Sequence, residues 1–246
     1  MATRFYFPLT ELAPVTPPNP SSSDWEHINN VSYHAVTTPD ASSLSTSMYG
    51  PDGTDHLVNG DAHHRRFVTD ALAAQTIAAQ SVIAQVQCFE SHGGNNLSLT
   101  LKVYVVSNDG ATAKETLLGI TRDGTEAGTA LRNLSFSGAT TTAATVESGD
   151  RLVFEFGLGG TPTAGGGVQG HNGNMRWGCD ASGGDLPIND TDTATTKRGW
   201  LEFPNTLTFD TGGITLALTG LSVAGAVGAL VLGLALALGG VVGTGA

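Results

Sequence analysis

Seven histidines, two cysteines and a scatter of carboxylates are the groups through which this chain could do chemistry. His27, His34, His56, His63, His64, His92 and His171 show neither HExxH nor Cys–His spacing, so no zinc-type ligand set is formed. They read as surface histidines, and the adjacent His63 and His64 would point to opposite faces of a strand. Asp185, Asn189, Asp190 and Asp192 carry the oxygen ligands that a hard cation such as calcium favours. They lack EF-hand spacing and a terminal Glu, so a solvated loop is expected there. Glu155 and Glu202 fall on predicted strands. Paired carboxylates are what glycoside hydrolysis needs, but their separation is spatial and strand Glu residues usually face solvent. No GxSxG elbow, P-loop or dinucleotide fingerprint occurs, and the glycine-rich residues 157–174 lack the strand–turn–helix context of a phosphate cradle. Cys88 and Cys179 read as buried free thiols, with a bridge open if their strands are neighbours. The expectation is a chain with no catalytic residues, no cofactor and no metal.

The elements that would position these groups are strands. Leu97, Leu99, Leu101, Val103 and Val105 alternate with polar residues, as do Val82, Ala84, Val86 and Cys88; Leu152, Phe154, Phe156 and Leu158 share one face. Leu201 with Phe203, and Leu207 with Phe209, form shorter runs. Turn signals stand at Ser107-Asn108-Asp109-Gly110, at Ser148-Gly149-Asp150 and in residues 157–174. Many short strands with almost no helical period predict an all-β fold, an antiparallel β-sandwich of jelly-roll type. Residues 1–30 read as a short strand and a proline-rich arm, 31–64 as a strand and polar loops, 65–210 as the sandwich, and 211–246 as an apolar β tail. Residues 70–80 tolerate a helix by composition but read as a loop entering a strand. Trp177 and Trp200 are expected in the core or at its rim, with stacking on a surface glycan as the sharper alternative.

The tail is distinctive because no ionisable side chain follows Asp210. Ile214, Leu216 and Leu218 alternate with small residues, as do Leu232, Leu234, Leu236 and Leu238, and period two is a strand signature. Leu216-Ala217-Leu218-Thr219-Gly220 returns as Leu236-Ala237-Leu238-Gly239-Gly240, which suggests an array of short strands. The length also fits a membrane helix, but no Lys, Arg, Trp or Tyr anchors either end. These seven large residues read as an assembly surface for other copies of the chain, with lipid playing no part.

Charged residues make up 13% of the 246 residues, and the net charge is −11. Nucleic acid and anionic lipid are therefore poor partners. Arg65-Arg66 is too short a basic run to reverse that and reads as a solvated turn or strand start. The prolines from Pro8 to Pro20 interrupt the only stretch where a secretory leader would stand, so none is expected.

The order of several short motifs resembles a family of uncharacterised structural proteins of tailed phages and prophages. They are Met1-Ala2-Thr3-Arg4-Phe5-Tyr6-Phe7-Pro8, Ala13-Pro14-Val15-Thr16-Pro17 with Trp25, Leu72-Ala73-Ala74-Gln75-Thr76-Ile77, Val105-Val106-Ser107-Asn108-Asp109-Gly110, Ser148-Gly149-Asp150-Arg151-Leu152-Val153, Asp185-Leu186-Pro187, Trp200-Leu201-Glu202-Phe203 and Leu218-Thr219-Gly220. The resemblance implies a jelly-roll virion protein, assembled in the host cytoplasm, and supplies no catalytic residues. Residues 38–64 and 157–174 depart from it. The sequence expectation is thus a non-enzymatic phage virion structural protein, forming homo-oligomers and contacting other virion proteins. A carbohydrate-binding module with a surface glycan as partner is the alternative, and a membrane-anchored surface protein the second alternative.

Overall fold

The computed structural model describes residues 1–20, 25, 30–39, 45–49, 61–91, 93–160 and 173–210. The chain divides into a unit spanning Met1–Gly212 and a unit spanning Gly213–Ala246. The tail residues Ile214, Leu216, Leu218, Leu232, Leu234, Leu236 and Leu238 lie outside the described residues. Among the described residues, no helix is long and apolar enough to cross a membrane.

The fold is all-β and its two main sheets form a sandwich. Sheet I contains β1 (Thr3–Tyr6), β13 (Trp200–Phe203), β6 (Ile83–Glu90), β12 (Gly173–Trp177) and β3 (Ser45–Tyr49), with β9 (Arg132–Phe136) also paired to β6. Sheet II runs β2 (Ser32–His34), β4 (Asp61–Val68), β11 (Arg151–Gly160), β7 (Leu97–Val106) and β8 (Ala113–Glu126). A small pair, β5 (Gln75–Ile77) and β10 (Ala144–Val146), completes the set. All strand pairs are antiparallel except β2 with β4.

The alternating apolar runs do what their period predicts. Leu97, Leu99, Leu101, Val103 and Val105 of β7, with Leu152, Phe154, Phe156 and Leu158 of β11, point into one core shared with Val82, Ala84, Val86 and Cys88. Aromatic rings fill its centre. Phe7 lies 4.6 Å from Phe67 and 5.0 Å from Phe156, and Trp177 lies 5.1 Å from Phe67. Trp177 and Trp200 are each 1% exposed, so neither offers a ring face to a sugar. Trp200 sits in a smaller cluster with Tyr6 and Cys179 on the outer side of sheet I. Cys88 and Cys179 are both buried, and no disulfide joins them.

Several features depart from the sequence expectation. Residues 38–64 contain strand β3 and the start of β4, and β11 runs on through Gly157–Gly160 where a turn is expected. Gly157 is needed in that run, because a Cβ there would lie 2.1 Å from the Ala62 carbonyl oxygen and 2.6 Å from the Trp25 ring. His63 and His64 are buried, one ring 5.4 Å from Trp25 and the other 6.3 Å from Trp177, on opposite faces of β4 as adjacent strand residues must be. Arg66 is fully buried, not solvated.

The proline-rich arm explains that burial. It crosses the outer face of sheet II and roofs a second apolar cluster, Val68, Tyr104, Val106 and Val153, with Ala13 and Val15 packed against it. Arg66 donates from Nε to Ser32 Oγ (2.7 Å) and from Nη1 to the Pro18 carbonyl (2.5 Å). The Trp25 indole N–H donates to Glu155 Oε2 (2.7 Å), and the Tyr104 hydroxyl donates to Glu155 Oε1 (2.9 Å). Burying a carboxylate is costly unless its oxygens are bonded, and here both are.

Candidate functional site

The acidic loop has no common focus. Asp185 accepts from Arg4 (2.6 Å), the Tyr6 hydroxyl (3.0 Å) and lies 2.7 Å from Arg198 Nε. Asn189 Oδ1 accepts from the backbone of Thr191 and Asp192, Asp190 accepts from Ser135 N (2.7 Å), and Asp192 pairs with Lys197. Each side chain is committed in its own direction, which pins residues 180–198 to sheet I. Among the described residues, no group of three or more His, Cys, Asp or Glu is placed to hold a metal ion. His34 lies between Glu11 and Asp70, 3.1 Å from each; His27, His56, His92 and His171 lie outside the described residues.

Glu155 and Glu202 do not form a catalytic pair. Glu155 is sealed under Trp25 on the outer face of sheet II, while Glu202 accepts from Arg4 (Nη2 2.8 Å) on the outer face of sheet I. The whole sandwich lies between them.

A different carboxyl pair is brought together at one end of the sandwich. Glu90 is the last residue of β6 and Glu126 the last of β8; Arg132 opens β9. The backbone fixes them. Glu90 N donates to the Gly128 carbonyl (2.9 Å), Ala127 N to the Leu97 carbonyl (2.5 Å), and the Arg132 guanidinium to the Glu126 carbonyl. Glu90 is 1% exposed, and its Oε2 accepts from Leu97 N (3.1 Å). Glu126 stands close enough to Glu90 for its charge to be felt there. Burial first, and then the charge of Glu126 and its hydrogen bond, push Glu90 up to about 7; the Leu97 N–H and Arg132 work the other way. Glu126 is exposed and faces a cleft of about 520 Å³, shared with Thr129, Arg132, Thr191 and Thr193.

A buried carboxyl raised this far exchanges its proton near neutrality, with a second carboxyl and an arginine beside it. Such a group can give or take a proton at physiological pH. Sequence reading misses it because the residues are 36 and 42 positions apart and stand at strand ends, where no local pattern marks them. Proximity of β6, β8 and β9 ends is a product of sheet topology alone.

No family model matches the chain, and no curated protein matches it by sequence. Solved structures do match by fold. A CocE/NonD family hydrolase from Staphylococcus aureus aligns with 85% of this chain and 36% of its own, at 7% identity and TM-score 0.45. An alpha-amino acid ester hydrolase aligns with 81% of this chain and 35% of its own, at 11% identity and TM-score 0.45. The infectious bursal disease virus VP2 subviral particle aligns with 76% of this chain and 40% of its own, at 12% identity and TM-score 0.20. The chain thus spans little more than a third of the hydrolases it matches. The non-enzymatic virion protein expected from sequence is corrected by this ordering: hydrolases match with probability 1.00, and the virus particle proteins follow at 0.92 or less with lower TM-scores. At these TM-scores the likenesses assign no activity to this chain.

Proposed function

We propose that the chain carries a hydrolytic acid–base site in the cleft at the ends of β6, β8 and β9. The observation that carries this reading is the Glu90–Glu126 pair, set beside Arg132 at the edge of that cleft. Hydrolysis is also in the names of the two enzymes matched above, but the likeness lends the reading no weight. Glu126 is the group that would touch substrate. As a carboxylate it takes a proton from water while the water oxygen bonds to a substrate carbonyl carbon; the proton then passes to the leaving group as the bond to it breaks. Arg132 faces the negative charge that builds on the carbonyl oxygen. Glu90 does not reach the cleft. It positions Glu126, and its own raised carboxyl sets the charge that Glu126 faces near neutral pH. A small, polar carboxylic ester or amide suits the threonines that share the cleft.

The test is turnover of a panel of small esters and amides by the full chain, by Glu126→Gln and by Glu90→Gln. Glu126→Gln is expected to lower kcat/KM by about 10²–10⁴-fold, the usual worth of a general acid–base group. Glu90→Gln is expected to move the pH midpoint of the rate with a smaller loss. Absence of turnover above the buffer rate in the parent chain, or equal rates for Glu126→Gln and the parent, would refute the reading.

A further inference from the structure

The cleft at the ends of β6, β8 and β9 has two walls. One is the connection from β8 to β9, with Glu126, Thr129 and Arg132; the other is residues 187–194, with Thr191 and Thr193. The second wall is a loop, and buried side chains of sheet I set its path. Gln85 and Gln87 of β6 stand opposite Ser135 and Asn133 of β9 across the strand pair. They alternate with Ala84, Val86, Leu134 and Phe136 of the core, so their side chains leave the core face and meet the loop. Asn133 Nδ2 donates to the Pro187 carbonyl (2.8 Å) and the Asn189 carbonyl (2.5 Å), and its backbone N–H to the Asp192 carbonyl (2.7 Å). Gln87 Nε2 donates to the Ala194 carbonyl (3.2 Å). Gln85, Gln87 and Asn133 are at most 1% exposed. Apolar side chains would cover the sheet at less cost, since a buried amide must find partners. What the amides add is a fixed course for the loop backbone.

That course decides which groups the loop offers. Asp190 accepts from Ser135 N, and Asp192 from Lys197 and Ala194 N; neither lines the cleft. Thr191 and Thr193 do, both exposed, and Thr129 joins them from the other wall. Elsewhere threonine hydroxyls are engaged within the fold, as Thr100 is with Asp61, Thr121 with the Gly119 carbonyl and Thr142 with the Thr116 carbonyl. The hydroxyls of Thr129, Thr191 and Thr193 have no such partner among the described residues. A hydroxyl donates and accepts at once, and so does each hydroxyl of a sugar. Three of them in one cleft, beside a loop whose carboxylates are already engaged, suit a neutral group with several hydroxyls. The volume of about 520 Å³ is in the usual range of a small-molecule site.

We propose that Thr191 and Thr193 are specificity-determining residues, whose hydroxyls bind the hydroxyl groups of a sugar or similar polyol on the alcohol side of the ester. Gln87 and Asn133 are positioning residues that act through them. This role rests on the hydrolytic reading of the cleft and names the class of alcohol that the reaction releases.

The experiment uses the full chain and two acetyl esters of primary alcohols, 6-O-acetylglucose and ethyl acetate, with acid release followed in a pH-stat. Methyl glucoside, which cannot be hydrolysed at an ester, is the binding probe in saturation-transfer NMR. The parent should show the lower KM for the sugar ester. Thr191→Val combined with Thr193→Val keeps the side-chain shapes at two exposed positions and should raise that KM by about 5–100-fold, two net hydrogen bonds, while weakening transfer to methyl glucoside. Gln87→Met should raise the KM for the sugar ester with kcat held within about twofold; a merely structural defect would lower the turnover of both esters alike. Equal KM values for the two esters in the parent, with no transfer to methyl glucoside, would overturn the inference and leave the hydrolytic reading standing. Transfer that the double threonine variant loses, without turnover of either ester, would refute the hydrolytic reading and uphold the sugar contact.

Discussion

Replacing Glu90 by Gln tests the carboxyl pair without touching the cleft wall. Glutamine keeps the size of the side chain and keeps an oxygen for the Leu97 N–H, but it cannot ionise. In the unfolded chain Glu90 titrates near its ordinary 4.5, and in the fold near 7. A raised carboxyl means that the folded state holds the proton more tightly. Its contribution to stability is therefore fully present below pH 4.5 and is lost as pH rises through 7. The gap of two to three pH units corresponds to at most about 3 kcal/mol at 1.36 kcal/mol per unit, less the part that solvent at the cleft screens. At pH 4 the parent and Glu90→Gln should unfold at similar denaturant concentrations. At pH 8.5 the variant should be the more stable by about 1–3 kcal/mol, or about 2–12 °C in Tm for a domain of this length. Chemical denaturation at the two pH values, analysed as variant minus parent, removes the contribution of every other titrating group. A difference that is the same at both pH values would refute the reasoning, because it would mean that Glu90 ionises alike in the folded and unfolded chains.

Three further outcomes follow from the packing. Burial, and then the charges of Arg65 and His63, hold His64 well below its ordinary 6.5, so the neutral ring supports the fold above that pH and the support is lost as pH falls. His64→Phe should therefore lose less stability than the parent between pH 7.5 and 5, measured by urea midpoints; equal losses would show that His64 carries no such share. Trp25→Phe removes the indole donor from a buried Glu155 oxygen and should cost about 1–3 kcal/mol, read from calorimetric unfolding. Gly157→Ala forces a methyl against the Ala62 carbonyl and the Trp25 ring and should cost about 1–3 kcal/mol, with a tryptophan emission shift as the arm lifts; an unshifted spectrum and unchanged Tm would show that the space under Trp25 has slack.

Strands β6, β7 and β11 were legible because one face of each enters the core and the other does not, so the chemistry of the residues alternates with the pleat. Strand β8 was not legible. It is an edge strand, and of its fourteen residues only Leu117 and Leu118 are buried, which leaves no alternation to read. Strand β4 hid for the opposite reason: His63, His64, Arg65 and Arg66 look like a solvated run, yet the arm on one side and the core on the other bury three of them. Polarity records burial only where a strand is covered by apolar groups, and here part of the cover is a carbonyl, a hydroxyl and a carboxylate. Glu155 misled in the same way. The Glu90–Glu126 pair had no sequence signal, since its members meet only through the closure of two sheets.

The pairing of β1 with β13 has a consequence for how the chain is made. Arg4 meets Glu202 across that pair, so the first strand finds its neighbour only after some 200 further residues. At about 5–20 residues per second, a ribosome needs roughly 10–40 s to deliver them. Through that interval Phe5 and Phe7, which end at 0% and 1% exposure, have no finished core to enter. Synthesis itself thus leaves a pair of sticky rings uncovered on every nascent chain until β13 emerges, and a helper that holds aromatic segments during translation would raise the yield of native protein.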